Sequence, residues 1–357
     1  LKNARQRERE DAIRRGLMSD SSKPMKLSEA ITPVGTCQSM CAEFERVQRA
    51  VQREIWDEEK VGTPVEESMD ESRMVKKFRR AAAGVEEQLP SDLRPPTVLR
   101  ETCNYLFHNV LGSAKLAQVH HFVWDRTRAI RNDLSIQQLS KADDLSIAIE
   151  CCERIARFHI LSLHQLALEE KPYEAYDPKQ EREQLDKTLL SLMQYYDDCR
   201  GRIPLPNEPE FRAYCVLFQL QDRTPDLEDR VQSWPREVSK DRRVQQALKV
   251  YAAACNTSDV QGPFFGSNAT SHTIARQDWE NFWQLVKSRK LSYLMACVTE
   301  IYFNLVRKMV LSGIVRTTRI SKAPNTEWTL SDLGKLFYFD DDDQLEAFCG
   351  RFGLQFR

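Results

Sequence analysis

Glycine is scarce, with 12 among 357 residues. Sandwiches and barrels need a turn every few residues, so the shortage points away from them and toward long helices. Long apolar runs are missing too. No uncharged stretch approaches the roughly 18 residues that cross a bilayer, and no secretory h-region opens the sequence. An excess of one charge is also lacking: 52 Lys and Arg face 53 Asp and Glu, for a formal net charge of -1. Whole-surface attraction to nucleic acid is thereby excluded, and any such binding has to come from a local patch. Phosphate loops, dinucleotide glycine fingerprints, His-Glu-x-x-His and paired catalytic carboxylates are absent. No enzymatic activity and no cofactor is therefore expected. The 10 cysteines stand at scattered positions without a signal peptide and read as reduced thiols of cytosol or nucleus, most of them small core residues. The sequons at Asn256 and Asn268 are then accidental. Because the chain starts at Leu1, a fragment is expected, with targeting signals elsewhere.

What remains is charge and amphipathic periodicity, 29% charged and 41% hydrophobic residues, enough for a large core in two or three structural units. Residues 1–34 form a charged N-terminal arm, opening on "LKNARQREREDAIRRG" and read as a solvated helix or partly ordered tail. From Thr36 onward helices are predicted over "SMCAEFERVQRAVQREIWDEE" and "SRMVKKFRRAAAG", followed by a connection through "LPSDLRPPT". Apolar stripes at helical spacing follow: Leu99, Cys103, Leu106 and Val110; then Leu145, Ile149, Cys152, Ala156, His159, Leu163 and Leu166. Leu185, Thr188, Leu192 and Cys199 continue the series, as do Phe211, Tyr214, Cys215 and Phe218, and Val244, Leu248, Tyr251 and Cys255. Polar and proline-marked breaks such as "GRIPLPNEPE" separate them, and no convincing strand stands before residue 315. Paired antiparallel helices of this kind predict an all-α helical-repeat stack over residues 35–272.

Residues 273–357 differ. Trp279, Phe282, Trp283 and Val286 face one way, and these aromatics, with Trp328, read as core. The most apolar helix follows, with Leu291, Leu294, Val298, Ile301, Leu305 and Met309 as its inner face. Then "EWTL" reads as a short strand, "SDLGKLFYF" as a helix capped by Ser331, and "DDDDQLEAFCGRFGL" as a helix with acids at its positive end. "LQFR" starts a further strand. That order is the one of a C-terminal winged helix whose wing is incomplete.

Cys37 and Cys41 are not expected to hold zinc, since a structural site needs four ligands and no second close pair follows. On a helix they would share one buried face with Met40 and Phe44. Cys151, Cys152, His159 and His164 suggest a thiol and base, yet Cys152 and His159 stand two turns and about 10 Å apart on an ideal helix, too far for activation. In "WDRTRAIRND", Asp125, Arg128 and Arg131 share a face at i, i+3 spacing; the face either pairs within itself or docks an acidic partner. A local basic patch is formed by Lys287, Arg289, Lys290, Arg307, Lys308, Arg316, Arg319 and Lys322, with Glu300 the one acid between residues 287 and 322. Such a patch would hold phosphate without reading bases. Asp340 to Asp343 would repel phosphate from a major groove, so the winged helix is expected to pack on a partner's winged helix. Leu333, Leu336, Phe337, Tyr338, Leu345 and Phe348 are the candidate partner contacts there.

The blocks "GTCQSMCAEFERVQR", "VKKFRRAAAG", "LPSDLRPPTVLRETCNYL", "FVWDRTRAIRNDLSIQ" and "LSYLMACVTEIYFNLVRKM", in that order, resemble the Sac three/GANP family, that of the germinal-centre-associated nuclear protein. Ala42 follows Cys41 where the family usually carries proline. The resemblance implies a PCI-like, TPR-like middle region of the scaffold subunit of the nuclear transcription-and-export complex two, which couples transcription to messenger RNA export at nuclear pores. It implies a PCI-domain subunit and the small acidic Sem/DSS protein as partners, RNA or DNA as ligand, and residence in the nucleus at the nuclear envelope. The alternative is a purely structural PCI scaffold, like those of the proteasome lid, without nucleic-acid binding.

Overall fold

Capping, periodicity and buried carboxylates together decide which parts of the chain coil. The computed structural model describes residues 2–20, 26, 31–63, 66–80, 88–167, 176–220, 227–258, 279–317 and 328–356. Helix takes up 69% of the residues and strand 2%, so the all-α expectation holds. Two compact units emerge, Leu1–Leu205 and Pro206–Arg357. The expected boundary at residue 272 lies outside the described residues.

In the first unit the charged arm forms helix α1 (Lys2–Arg14). It is fastened by Arg5, which donates to both oxygens of Asp92 at 2.7 and 2.5 Å and lies 4.2 Å over the Phe44 ring. Ala12, Met18 and Leu89 close a small apolar cluster beneath it. The segment after it is extended. Gly35 N–H donates to Gln137 Oε1 (2.9 Å), Thr36 N–H to Pro90 O (2.8 Å) and Cys37 N–H to Leu93 O (2.9 Å). A Cβ on Gly35 would stand 2.7 Å from Leu93 O and 2.8 Å from Gln137 Oε1, so the close crossing requires glycine.

Cys37 and Cys41 therefore do not share a helix face, contrary to the periodic reading. Helix α2 begins only at Glu43 and ends at Gln52. The turn before it is held by the Cys41 carbonyl, which accepts from Ser39 Oγ (2.6 Å) and Arg46 Nη1 (2.7 Å). Ala42 has φ -63, the angle a proline ring would impose, so the backbone here would also accept a proline. Both thiols are buried, and burial pushes Cys41 up to about 12.

Two further expectations fail here. A β-hairpin, β1 (Lys60–Thr63) with β2 (Glu66–Met69), sits where no strand was foreseen, Val61 opposite Ser68. β-Branched Val61 and Thr63 flank Gly62, whose φ of 113 suits a bent edge. Residues 74–80 are not helical either. Their peptide N–H groups are taken by carboxylates from elsewhere: Val75 by Glu59 (3.1 Å), Lys77 by Glu45 (2.8 Å) and Phe78 by Asp125 (3.1 Å). A donor so engaged cannot close an i to i-4 bond.

The rest of the unit is helical. α3 (Pro96–Asn104) starts with proline at a position that needs no N–H and runs on through a π-helical turn, Tyr105–Val110. α4 (Leu116–Ile136), α5 (Ala142–Gln165) and α6 (Pro178–Cys199) follow, α6 capped by the Asp177 side chain, which accepts from Lys179 N–H at 2.8 Å. The predicted stripes of α3, α5 and α6 are all buried. α5 packs against α3, α4 and α6 and also buries Ala148, Cys151, Ile155 and Phe158 on its other side, which makes it the central rod.

The second unit contains α7 (Glu208–Phe218), α8 (Leu227–Ser233), α9 (Arg236–Ser239), α10 (Arg242–Ser258), a helix over 279–287 designated α11, α12 (Tyr293–Glu300), α13 (Phe303–Thr317), α14 (Leu330–Phe337) and α15 (Asp342–Gly350). α7 packs against α10 and α12, and its Phe211, Tyr214 and Val216 are buried. The apolar helix foreseen from Leu291 is two helices. Its inner line is Met295, Val298, Tyr302, Val306 and Val310; of the predicted face only Val298 is fully buried, and Leu291, Leu294, Ile301, Leu305 and Met309 are half-buried. The two helices meet at a turn at Ile301 and Tyr302, whose hydroxyl donates to the Phe218 carbonyl. No strand forms at Trp328–Thr329 or Leu354–Phe356, and Leu330 is already helical. Thr329, not Ser331, caps α14, its hydroxyl accepting from Asp332 N–H at 3.2 Å.

Candidate nucleic-acid interface

The basic residues divide by what holds them. Lys287 at the end of α11, Arg289, Lys290 and Lys308 are exposed. Lys287 Nζ lies 3.5 Å from the centroid of the Tyr338 ring, which leaves its ammonium at the surface above an aromatic shelf. Arg316 belongs to α13, but its side chain, with Arg319 and Lys322, lies outside the described residues.

Arg307 behaves differently. Its Nε donates to Phe337 O (2.8 Å), its Nη2 to Tyr338 O (2.6 Å), and its plane lies 3.7 Å over the Phe339 ring. Tyr338 closes α14 in the left-handed region (φ 52), so these are the carbonyls a helix end leaves without partners. Burial lowers the Arg307 pKa to about 10, against the opposite pull of Asp340 and Glu300. Arg307 is thus a cap for α14 rather than a phosphate ligand, which corrects the sequence reading.

The candidate partner contacts also need correction. Leu333, Phe337, Leu345 and Phe348 are buried, because α14 and α15 pack on each other. Phe337 meets Phe348 at 6.0 Å between ring centroids. Leu336 and Tyr338 are half-buried and reach a groove of about 390 Å³ shared with Trp279, Gln284 and Trp328. Glu280, Asp332 and Lys335 supply the groove's charge. Trp279, Phe282 and Trp283 are core as expected, while Trp328 is half-buried. Asp341 caps α15, accepting from Gln344 N–H at 2.8 Å; Asp340, Asp342 and Asp343 are exposed beside it.

In the first unit the blocks that carry the family resemblance converge on buried charge. Glu59 pairs with both Arg49 and Arg126, and all three are wholly buried. Asp133 takes Lys76 Nζ at 2.6 Å and Arg94 Nε at 2.8 Å; Lys76 also donates to Asp92 O at 2.7 Å. Gln137 Nε2 donates to the Arg94 and Asp133 carbonyls, both at 2.8 Å. Each charge is paired and hydrogen-bonded, the condition for burying it. Sequence reasoning missed Arg126 and Asp133. Their signal was position, since they fall on the same side of α4 as Val119, Phe122, Val123 and Ile130.

The ladder expected on "WDRTRAIRND" does not form. Asp125 pairs with Arg126, Arg128 lies over the Phe78 and Trp124 rings at 4.0 and 4.5 Å, and Arg131 donates to Gln184 Oε1. The histidines are paired with a carboxylate and not with a thiol. His159 Nδ1 is 2.7 Å from Glu181 Oε1, with His120 Nε2 3.1 Å from Glu181 Oε2. Burial drives the Cys152 thiol up to about 12, where it is no nucleophile at neutral pH.

Comparison with known proteins agrees with this arrangement of blocks. A family model described as the SAC3/GANP family matches residues 40–357. The chain is 40% identical over 360 residues to SAC3 family protein 1 of Schizosaccharomyces pombe, covering 99% of this chain and 33% of that protein. It is 31% identical to Protein xmas of Drosophila melanogaster over 90% of this chain and 14% of that one. It is 29% identical to SAC3 family protein B of Arabidopsis thaliana, over 91% and 18% respectively. The chain spans about a third or less of the length of the curated relatives it matches.

Proposed function

The chain belongs to the SAC3/GANP family, and from that premise we propose that it is the helical core of a non-enzymatic scaffold subunit of a nuclear messenger RNA export complex acting at nuclear pores. In this reading the helix pairs form a PCI-like superhelix and the last helices a winged-helix module. A PCI-domain subunit and the small acidic Sem/DSS protein assemble on it, and the composite surface holds RNA or DNA without reading its sequence.

One observation carries the nucleic-acid half: Lys287, Arg289, Lys290 and Lys308 are exposed cations, with Lys287 seated on Tyr338. Backbone phosphate needs flexible, exposed charge of this kind and no shaped pocket. For the partner, the half-buried Trp328, Leu336 and Tyr338 around the groove offer the contact surface.

The test is the triple variant Lys287→Glu, Arg289→Glu, Lys290→Glu, co-expressed with the PCI-type subunit. Assembly should survive, and RNA affinity should collapse. The slope of log affinity against log salt should fall by about 2, three phosphate contacts at roughly 0.7 each on a single strand. Unchanged RNA binding with intact assembly would favour the purely structural scaffold.

A further inference from the structure

We infer that Ser292 is a phosphorylation site for an arginine-directed serine kinase, and that its phosphate withdraws the neighbouring basic patch from nucleic acid. The second half rests on the phosphate-binding reading of Lys287, Arg289 and Lys290 proposed above. The segment reads "KSRKLS", with Lys287, Arg289 and Lys290 five, three and two positions before the hydroxyl. All three cations are exposed, as is Ser292. Kinases that select substrates by charge read such a pattern with acidic groups beside an open cleft, and they take the chain extended. Residues 288–292 lie outside helix, and Ser292 itself is extended at φ -71 and ψ 159.

Other hydroxyls that follow an arginine at this spacing fail on geometry. Among the described residues they are Thr97, Ser233 and Ser239. The arginine before Thr97 is Arg94, wholly buried against Asp133. Ser233 and Ser239 belong to α8 and α9, and their hydroxyls donate to Arg230 O at 2.7 Å and Arg236 O at 3.4 Å. Ser288, in the same segment as Ser292, is half-buried, donates to Leu285 O at 2.6 Å and follows no arginine at that spacing. By contrast, the Ser292 hydroxyl accepts from Met295 N–H at 3.3 Å and donates to no group among the described residues.

In the transfer, the γ-phosphorus of magnesium-bound ATP bonds to Ser292 Oγ as its bond to the bridging oxygen breaks. ADP leaves, and the hydroxyl proton passes to the catalytic aspartate of the kinase. The product carries a charge of about -1.5 to -2 at neutral pH. The fold tolerates that anion, because Ser292 is the N-cap of α12, where first-turn N–H groups and the helix dipole favour negative charge. Lys290 and Arg289 are two and three links away, at most about 7 and 11 Å by chain length, comparable to a screening length of about 8–10 Å. The phosphate therefore offsets about two of the three cations, and RNA loses what held its backbone.

The experiment treats the intact chain, co-expressed with the PCI-type subunit, with ATP and the catalytic subunit of the cyclic-AMP-dependent protein kinase, and maps phosphate by tandem mass spectrometry. Ser292 should be the main site. Arg289→Gln should slow incorporation at least about ten-fold, the worth of one charge-assisted contact, and Ser288→Ala should leave it unchanged. Absence of phosphate from Ser292, or equal incorporation in Arg289→Gln, overturns the site. Fluorescence polarisation with oligouridylate should then show at least about ten-fold weaker binding by the phosphorylated form. Its salt slope should be lower by about 1.4, two contacts at roughly 0.7 each, and its melting temperature unchanged or raised. Equal affinity of the two forms, or weaker binding accompanied by a lower melting temperature, overturns the regulatory half. An unmodified complex without salt-sensitive RNA binding overturns the nucleic-acid reading and this consequence with it, while incorporation at Ser292 decides the site by itself.

Discussion

Replacing Glu59 by Gln should do more damage than any neighbouring carboxylate change. Glu59 is wholly buried between Arg49 and Arg126 and also accepts from the N–H groups of Val75 (3.1 Å) and Trp56 (3.2 Å). The amide keeps the volume but removes the charge, leaving buried Arg126 with Asp125 alone and buried Arg49 with only the more distant Glu45 at 3.9 Å; removing one partner of a buried pair costs about 3–5 kcal/mol. Against a total stability of about 5–15 kcal/mol for a domain, the first unit would be brought close to unfolding. Urea denaturation followed by tryptophan fluorescence should show its transition shifted by roughly 1–2 M, given a urea slope of about 2–3 kcal/mol per molar. Limited proteolysis should at the same time open the segment around residues 74–80, which Glu59 helps to hold extended. Glu58→Gln is the matched control. Glu58 is half-buried, its pKa is raised first of all by burial, and no ion pair holds it among the described residues. Its neutralisation should leave the transition unchanged or slightly higher. Equal shifts for the two variants would refute the claim that the ionic lattice, rather than burial alone, fixes this segment.

Two further outcomes are expected. Gly35→Ala should lower the melting temperature of the first unit by several degrees, at a cost of about 2 kcal/mol or more, because the new methyl would meet two backbone atoms and a side-chain oxygen within 2.9 Å; a change below about 1 °C would show that the 90–94 loop yields freely. Acidification should also destabilise the unit. Burial outweighs the pull of Glu181 and holds His159 below its ordinary 6.5, so the imidazole is neutral in the fold and gains a proton on unfolding; its contribution is complete above about pH 6.5 and is lost as pH falls. Glu181, kept below 4.5 by the two imidazoles despite burial that would raise it, adds a second loss at lower pH. Calorimetry between pH 7 and 5 should therefore show a decline for the native chain of up to about 1.4 kcal/mol per pH unit per proton, shallower for His159→Gln; identical slopes would remove His159 from the account.

The stripes through α3, α5 and α6 were legible because a rod buried along one side must repeat its apolar residues every 3.6 positions, and that rule is local. The same rule failed at Val75–Phe78. There the spacing suits a helix, but Glu59, Glu45 and Asp125 arrive from elsewhere in the chain and take the donors a helix would use. Position also misled in the second unit. The pattern offers Leu333 and Phe348 as partner contacts, yet each covers the other's helix, and it offers Arg307 as a patch cation, yet two carbonyls at the end of α14 hold it.

From the order of its residues alone, the chain determined that it would be helical, which stripes would be buried along α3, α5 and α6, and which family its blocks resemble, since all three depend on neighbours within a few positions. Which charges are buried and which are free was decided only by the tertiary structure. A guanidinium carries the same charge wherever it stands, and whether it binds inward or outward depends on the carboxylates and carbonyls that folding brings within about 3 Å of it.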